Sequence, residues 1–288
     1  MCAQAFELAH TMTTALKQRN PIATIDERVA FNEPTHTYFL DGRPVPISVT
    51  SVVGRLFSEF DPDETLALYY ERWKASGSSK YEDVISSSAT DDEAKAAIKL
   101  QWETAGKQAS ELGTRVHAAV ELALNGGVPS GDAVKDVERE FSAFQSWLSE
   151  FALPNRLTAF RTELPVFLAL ADGTPLLAGM IDGLFVDSEN KYWLVDWKRT
   201  KAPFGKSERS YGRKGFGAAR KLPETKWTRY SLQLAVYALL RKHTLRICVD
   251  QRRFLVRLHA DGYEVVQAET SLCDPVAEQA LDELMVVA

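Results

Sequence analysis

Between residues 157 and 199 apolar residues fall in short runs and alternations separated by turn formers, a pattern that predicts strands at 157–169, 176–187 and 191–199. Two more strands are expected near 245–249 and 253–258. Upstream the spacing is helical. Asp61, with Pro62 at the first helical position and Glu64 completing a capping box, predicts a helix through Leu66, Tyr69, Tyr70 and Trp73 that ends near Gly77. Thr90 and Glu93 open a second helix through Ala97, Leu100 and Trp102. Gly113 is expected to break the chain before a separate helix at 114–124, closed by Asn125-Gly126-Gly127. A further helix is expected from Asp132, with Val137, Phe141, Phe144, Trp147 and Leu148 as its apolar face, another at roughly 228–242 and a last from Pro275. Residues 29–31 and 37–40 read as a small hairpin with Asp41-Gly42 as turn chemistry, and the Ser-rich stretch 76–89 as an exposed loop.

This order of elements predicts an α/β fold, a mixed β-sheet core flanked by helices, with an N-terminal hairpin and a helical elaboration. Residues 1–28 read as an N-terminal extension and 29–288 as one domain: hairpin and helices at 29–150, the sheet core at 151–288, and a basic loop at 199–227. No internal repeat is present.

The segment 178–198 carries the sharpest chemistry. Pairing Asp187 with Lys191 across Ser188-Glu189-Asn190 sets Asp182 opposite Asp196, and the strand period puts Lys198 on the same face. Two carboxylates about 5 Å apart repel by about 3 kcal/mol at an effective dielectric of about 20. A divalent cation between them converts that repulsion into a ligand set, and the nearby lysine can serve a reacting phosphate. That is the chemistry of a metal-dependent nuclease. The plainer alternative is a hairpin with its charges in water and Trp193, Val195 and Trp197 on its buried face.

Composition is that of an ordinary globular chain: 288 residues, 45% hydrophobic and 25% charged. No apolar run is long enough to span a membrane. Cys2, Cys248 and Cys273 are too few and too scattered for a disulfide frame or a cysteine zinc site, which points to a reducing, intracellular setting. The first residues lack the core of a signal peptide. Charge is uneven. Residues 198–229 hold eleven Lys/Arg against Glu208 and Glu224, a local balance of +9 that leaves −14 for the rest of a chain whose net charge is −5. Phe204, Tyr211, Phe216 and Trp227 interleave with these cations, as in a nucleic-acid groove; a solvated loop is the alternative. Arg199, Lys201, Arg213, Lys214, Arg220, Lys221, Trp227 and Arg229 are the candidates to touch the strand.

Other positions stay open. His117 lies off the apolar stripe Val116, Ala119, Val120, Ala123 and Leu124, with Glu121 one turn on along its side. It is either a surface histidine or a ligand whose second nitrogen a carboxylate holds. Glu163, among Leu164, Val166 and Phe167, is an edge charge or another metal-site group. Gln233 and Tyr237 are four residues apart on a helix that has an adequate apolar face without them. Gly205-Lys206-Ser207 resembles the end of a phosphate-binding loop, but the first glycine would have to stand where Thr200 does, so ATP is not expected as a ligand. No Ser/His/Asp order or nucleophile elbow is evident.

Gly179-Met-Ile-Asp182, Asp196-Trp-Lys198, the preceding His117 and the following Gln233-x-x-x-Tyr237 together resemble the RecB-like branch of the PD-(D/E)XK nucleases. Ile47-Ser-Val-Thr50, Tyr70-Glu-Arg-Trp-Lys74, and Gly113 ahead of His117-x-x-x-Glu121 narrow the resemblance to the mitochondrial genome maintenance exonuclease family and its bacterial and phage relatives. It covers roughly residues 29–260. The resemblance implies the PD-(D/E)XK fold, Mg²⁺ or Mn²⁺ as cofactor, and cleavage of DNA, preferentially single-stranded, from its ends. It implies His117, Asp182, Asp196 and the Trp197 carbonyl as metal ligands, Lys198 as catalytic lysine, and Gln233 and Tyr237 as helpers, with Glu121 and Glu163 less defined. The chain departs from the family in an unconvincing targeting sequence, a longer Glu163-to-Asp182 separation and a longer basic loop. The mitochondrion therefore follows from resemblance alone, against cytoplasm or nucleus. A duplex- or structure-specific endonuclease on the same core and a silent nucleic-acid-binding module are the competing readings.

Overall fold

The structure, a computed structural model, describes residues 14–33, 35–77, 80–245 and 252–287. The chain forms two compact units, one made of the residues up to Phe57 and from Arg115 onward, the other of Ser58–Thr114.

The larger unit is a mixed sheet flanked by helices. Short helices α1 (Thr14–Arg19) and α2 (Ala23–Asp26) lead into a small sheet of β1 (Val29–Asn32), β2 (Thr37–Leu40) and β3 (Arg43–Pro44). Leu16 and Ile25 are buried, so residues 14–28 belong to this unit's core and are not the separate extension the sequence suggested. β4 (Ile47–Ser48) then starts the main sheet and passes straight into α3 (Val49–Arg55), capped by the Ser48 hydroxyl. β5 (Thr158–Ala169), β6 (Pro175–Val186), β7 (Tyr192–Arg199), β8 (Arg253–His259) and β9 (Gly262–Gln267) complete it in the order β4-β6-β7-β8-β9, with β5 paired to β6. The three central strands fall within a residue of the expected limits; β9, half-buried along its length, has no counterpart among the strands expected from the sequence.

The strand pairing also places the site. β5 runs antiparallel along the length of β6. On β6's other edge, β4 pairs in parallel only with Leu177 and Ala178, and β7 antiparallel only with Gly183–Val186. The C-terminal ends of β4 and β7 therefore approach each other along that edge and leave Gly179-Met-Ile-Asp182 between them. Chain ends that stop short of each other leave a crevice in the sheet, where side chains rather than main-chain ladders must satisfy the polar groups.

Helix α8 (Lys226–Leu245) packs on this sheet together with α3, and α9 (Thr270–Val287) packs on α8, while α7 (Glu138–Trp147) packs against β8 and β9. Trp197 sits in an aromatic cluster with Phe144, Trp147 and Phe185, so the alternate residues Asp196 and Lys198 face the α8 side.

In the smaller unit, α4 (Pro62–Ser76) begins as expected, with the Asp61 carboxylate accepting the N–H groups of Asp63 and Glu64, and ends at left-handed Gly77. The polar run after it contains a helix, α5 (Glu82–Ser87), in place of the expected loop. Tyr70, Tyr81, Leu66, Ala94 and Ile98 form the core of this unit, with Trp73 and Trp102 against them.

Three further expectations are corrected. No break occurs at Gly113: α6 runs unbroken over Asp91–Leu124. An interior glycine costs a helix only about 1 kcal/mol, less than the surrounding turns supply. Asp132 lies inside a single 3₁₀ turn, Gly131–Ala133, and α7 begins at Glu138 and runs into a π turn at Leu148–Ala152. The last helix starts at Thr270, because the Glu269 carboxylate accepts the N–H groups of Ser271 and Leu272 ahead of Pro275. Apart from Leu245, which ends α8, the strand expected near 245–249 lies outside the described residues. Among the described residues no helix is long and apolar enough to cross a membrane.

Candidate metal centre

The hairpin register is the one the turn dictates: Asp187 donates its N–H to the Lys191 carbonyl, and the ladder runs to Gly183 opposite Val195. Asp182 and Asp196 follow as the next position, where the main-chain pairing stops. The Asp182 carboxylate then takes the acceptor's place, receiving the Trp197 N–H at Oδ2 over 2.9 Å.

The β5/β6 register puts Glu163 opposite Asp182 on the other side, since Thr162 pairs with Gly183 and Leu164 with Ile181. Three carboxylates, Glu163, Asp182 and Asp196, thus form one row across β5, β6 and β7. Glu163 adopts φ +42°, a left-handed conformation that costs a non-glycine residue about 1–2 kcal/mol. Strain of that kind in the middle of a strand is retained where the surroundings dictate it, and it marks Glu163 as a functional candidate.

His117, from the last turns of α6, reaches the same point. Its Nε2 donates to the Trp197 carbonyl at 3.0 Å, and its Nδ1 lies 3.6 Å from Asp182 Oδ2 and 3.9 Å from Glu163 Oε1. His117, Glu163 and Asp182 offer ligand atoms within 4.8 Å of one another, enough to hold one ion. Burial works against the imidazolium, but the Asp182 carboxylate, followed by Glu163, raises the His117 pKa to about 9. Glu121, half-buried one turn further along α6, accepts the Asn125 N–H at its main-chain carbonyl.

Asp196 is 1% exposed, and its Oδ2 pairs with the Lys198 ammonium at 2.7 Å. Its Oδ1 is buried with no hydrogen-bond partner among the described residues. Burial, and then the Asp182 charge, raise its pKa to about 6 against the opposing pull of Lys198. Burial and Glu163 likewise raise Asp182. The donor set of His117, Glu163 and Asp182, with Asp196 and its orphaned oxygen beside them, fits a hard divalent ion with oxygen ligands and one nitrogen.

Around Lys198 the structure adds a ring of partners. Its Nζ donates to Gln233 Oε1 at 3.4 Å and lies 5.0 Å from the centre of the Tyr230 ring. Gln233 Nε2 donates in turn to the Tyr237 hydroxyl at 3.1 Å. Burial opposes the Lys198 charge, yet Asp196 and then Asp182 outweigh it and raise its pKa. Burial, with Asp182 and Asp196, holds the Tyr237 phenol protonated well above its ordinary range. Gly179 has a steric reason: a Cβ there would come within 2.6 Å of Tyr237 Cε1 and 2.8 Å of Val49 Cγ2. Sequence reasoning misses Tyr230, although Tyr230, Gln233 and Tyr237 fall at i, i+3 and i+7 on one helical stripe.

The basic segment divides. Arg199 pairs with buried Glu140 at 2.9 Å, and Arg229 pairs with Glu224 at 2.6 Å with its guanidinium over Phe57. Trp227 is buried, its Nε1 donating to the Gln267 carbonyl at 3.0 Å. Phe204 is buried beside Tyr230. Against the expectation that Arg199 and Trp227 face a nucleic acid, both are held by partners from distant segments, while Arg229, partly exposed, is paired with the nearby Glu224. Lys201, Lys206, Arg209, Arg213, Lys214, Arg220 and Lys221 are not paired off in this way, and Lys201, Arg213, Lys214, Arg220 and Lys221 are exposed, as are Tyr211 and Phe216. Their loop is held in shape by the Lys214–Pro223 bridge and by the Phe216 N–H donating to the Leu56 carbonyl.

No family model matches this chain, and no curated protein matches it. Among solved structures it is similar to "Crystal structure of SSO0001", at 13% identity over 82% of this chain and 75% of that one, with a TM-score of 0.31. Such a likeness is too loose to carry a fold or an activity from one chain to the other.

Proposed function

We propose that this mixed sheet is the core of a PD-(D/E)XK nuclease of the RecB-like branch, and that the protein hydrolyses DNA phosphodiester bonds with Mg²⁺ or Mn²⁺, acting as an exonuclease on single-stranded ends. The observation that supports it most is the carboxylate row Glu163–Asp182–Asp196 ending beside the Lys198 ammonium, with His117 and the Trp197 carbonyl converging on it. A row of acids, one buried and two half-buried, repels itself unless cations join it.

His117, Glu163, Asp182, Asp196 and the Trp197 carbonyl would hold the ion. When bound, it supplies Lewis acidity toward a phosphate oxygen and lowers the pKa of an attacking water. The protein's own share is positional. Lys198, fixed between Asp196, Gln233 and Tyr230, presents its charge where the reacting phosphate gains negative charge. Tyr237 and Gln233 keep that lysine in line. The exposed cations between Lys201 and Lys221 attract the strand.

Incubation of end-labelled linear and circular single-stranded DNA with Mg²⁺, and in parallel with EDTA, tests this reading. An exonuclease degrades the linear strand only with metal and leaves the circle intact. A cut circle would favour the endonuclease, and binding without any cleavage the silent module.

A further inference from the structure

Among the described residues, the β1–β2 hairpin has a face that the rest of the larger unit covers at one end and leaves exposed at the other. Val29 stands opposite Leu40 and Phe31 opposite Tyr38, so these four side chains share one face. At the inner end, Leu40 is fully buried with Val45 against Ala178, and Tyr38 packs at the margin of that cluster. At the outer end Phe31 is 36% exposed. Its ring lies 4.6 Å from that of Tyr38, and exposed His36 meets it edge-on at 6.0 Å.

Ala178 directly precedes the Gly179–Asp182 stretch, so the inner end of this face, where Leu40 packs with Ala178 and Tyr38 lies against them, borders the crevice that holds the carboxylate row, and the Tyr38 ring carries the aromatic surface outward to Phe31. Burial first, then the charges of Glu163 and Asp182, raise the Tyr38 hydroxyl's pKa.

We propose that Phe31, His36 and Tyr38 form a stacking platform for unpaired bases of the strand whose phosphate lies at the carboxylate row. The proposal rests on the nuclease reading and specifies its substrate. A base is the occupant that suits the place, because it presents a flat π-face and is tethered to the phosphate that a metal centre would handle. Duplex bases already stack on each other, whereas a single strand can lay its bases on the rings whatever the sequence. The cross-strand pairing of Phe31 with Tyr38 sets the rings in advance of binding.

The test compares binding of a fluorescent single-stranded oligonucleotide with that of the same length made of abasic sites, using the full chain with Ca²⁺ in place of Mg²⁺. Wild type should bind the intact strand about tenfold or more tighter, from the scale of base–aromatic stacking. The double variant Phe31→Leu/Tyr38→Leu should lose that advantage while matching wild type on the abasic strand. If circular dichroism shows the double variant unfolded, Phe31→Leu alone, at an exposed position, should lose about fivefold or more on the intact strand only. Equal binding by variant and wild type on both strands would overturn the platform. Digestion with Mg²⁺ separates the two readings. A wild type that cuts while the folded variant binds and cuts equally well sinks the platform alone. A wild type that shows the stacking advantage but cuts nothing sinks the nuclease alone. Failure to bind either strand sinks both.

Discussion

Asp182 Oδ2 accepts the main-chain N–H of Trp197 at 2.9 Å, one position beyond the last ladder pair of β6 and β7. A side-chain oxygen thus closes the sheet where the strands part, and the same carboxylate faces His117. Asparagine can make the N–H bond without the charge; alanine cannot. Both Asp182→Asn and Asp182→Ala should abolish metal-dependent cleavage. Only the alanine variant should lose stability, by about 1–3 kcal/mol for a buried N–H left unpaired. Without metal, Asp182→Asn should unfold at a higher temperature than wild type, since it removes a buried charge set beside Glu163. Thermal and urea unfolding in EDTA measure both effects, and an asparagine variant cleaving at the wild-type rate would remove Asp182 from the chemistry.

Lys198→Ala should be inactive yet still bind metal, because the ammonium neighbours the ligands without being one. Its removal leaves Asp196 buried beside Asp182 without a cation, which should make Mn²⁺ binding stabilise this variant more than wild type. Calorimetric titration with Mn²⁺ decides the matter: loss of binding as complete as that of Asp182→Ala would contradict the role given to Lys198.

The divided basic segment gives a contrast within a few residues. Replacing Arg213, Lys214, Arg220 and Lys221 with alanine should weaken DNA binding and flatten its salt dependence. The log–log slope should fall by about 0.7 for each phosphate of a single strand that is no longer neutralised. Arg199→Ala should instead lower stability by about 3 kcal/mol, the scale for breaking a buried pair and leaving Glu140 uncompensated. Binding constants at several salt concentrations and denaturant melts separate the two classes. An Arg199 variant of unchanged stability but weakened salt slope would reverse the assignment.

Gly179→Ala should cost about 1–3 kcal/mol by overpacking, since the added methyl must displace Tyr237 or Val49. Because Tyr237 holds Gln233, and Gln233 accepts from Lys198, activity should fall further than stability alone explains. A variant destabilised to this degree but fully active at low temperature would show that the Tyr237–Gln233 chain does not position the lysine.

Much of this is legible in the chain because it rests on local rules. The strand period and a three-residue turn suffice to set Asp182 against Asp196, and Asp61 with Pro62 suffices to start a helix. Glu163 stays open at the level of sequence because two things decide its role, and neither is written locally. One is the β5/β6 register across a connection that is itself irregular near Ala169; the other is a positive φ at a glutamate. Arg199, Trp227 and Arg229 mislead for the opposite reason. Their types suit a nucleic acid, but Glu140, the Gln267 carbonyl and Glu224 meet them in the fold, two of these partners from distant segments. The unbroken α6 shows that one glycine is weak punctuation when the turns on both sides are helical.

Digestion of end-labelled linear single-stranded DNA by wild type and by Asp196→Asn, each with Mg²⁺, with Mn²⁺ and with EDTA, tests the centre most directly. The expected result is degradation by wild type with either metal and none with EDTA. The asparagine variant should be inactive with both metals while keeping its circular-dichroism spectrum. Absence of metal-dependent cleavage by wild type, or cleavage by the variant at a comparable rate, would contradict the proposal that the row Glu163–Asp182–Asp196 is a catalytic metal site.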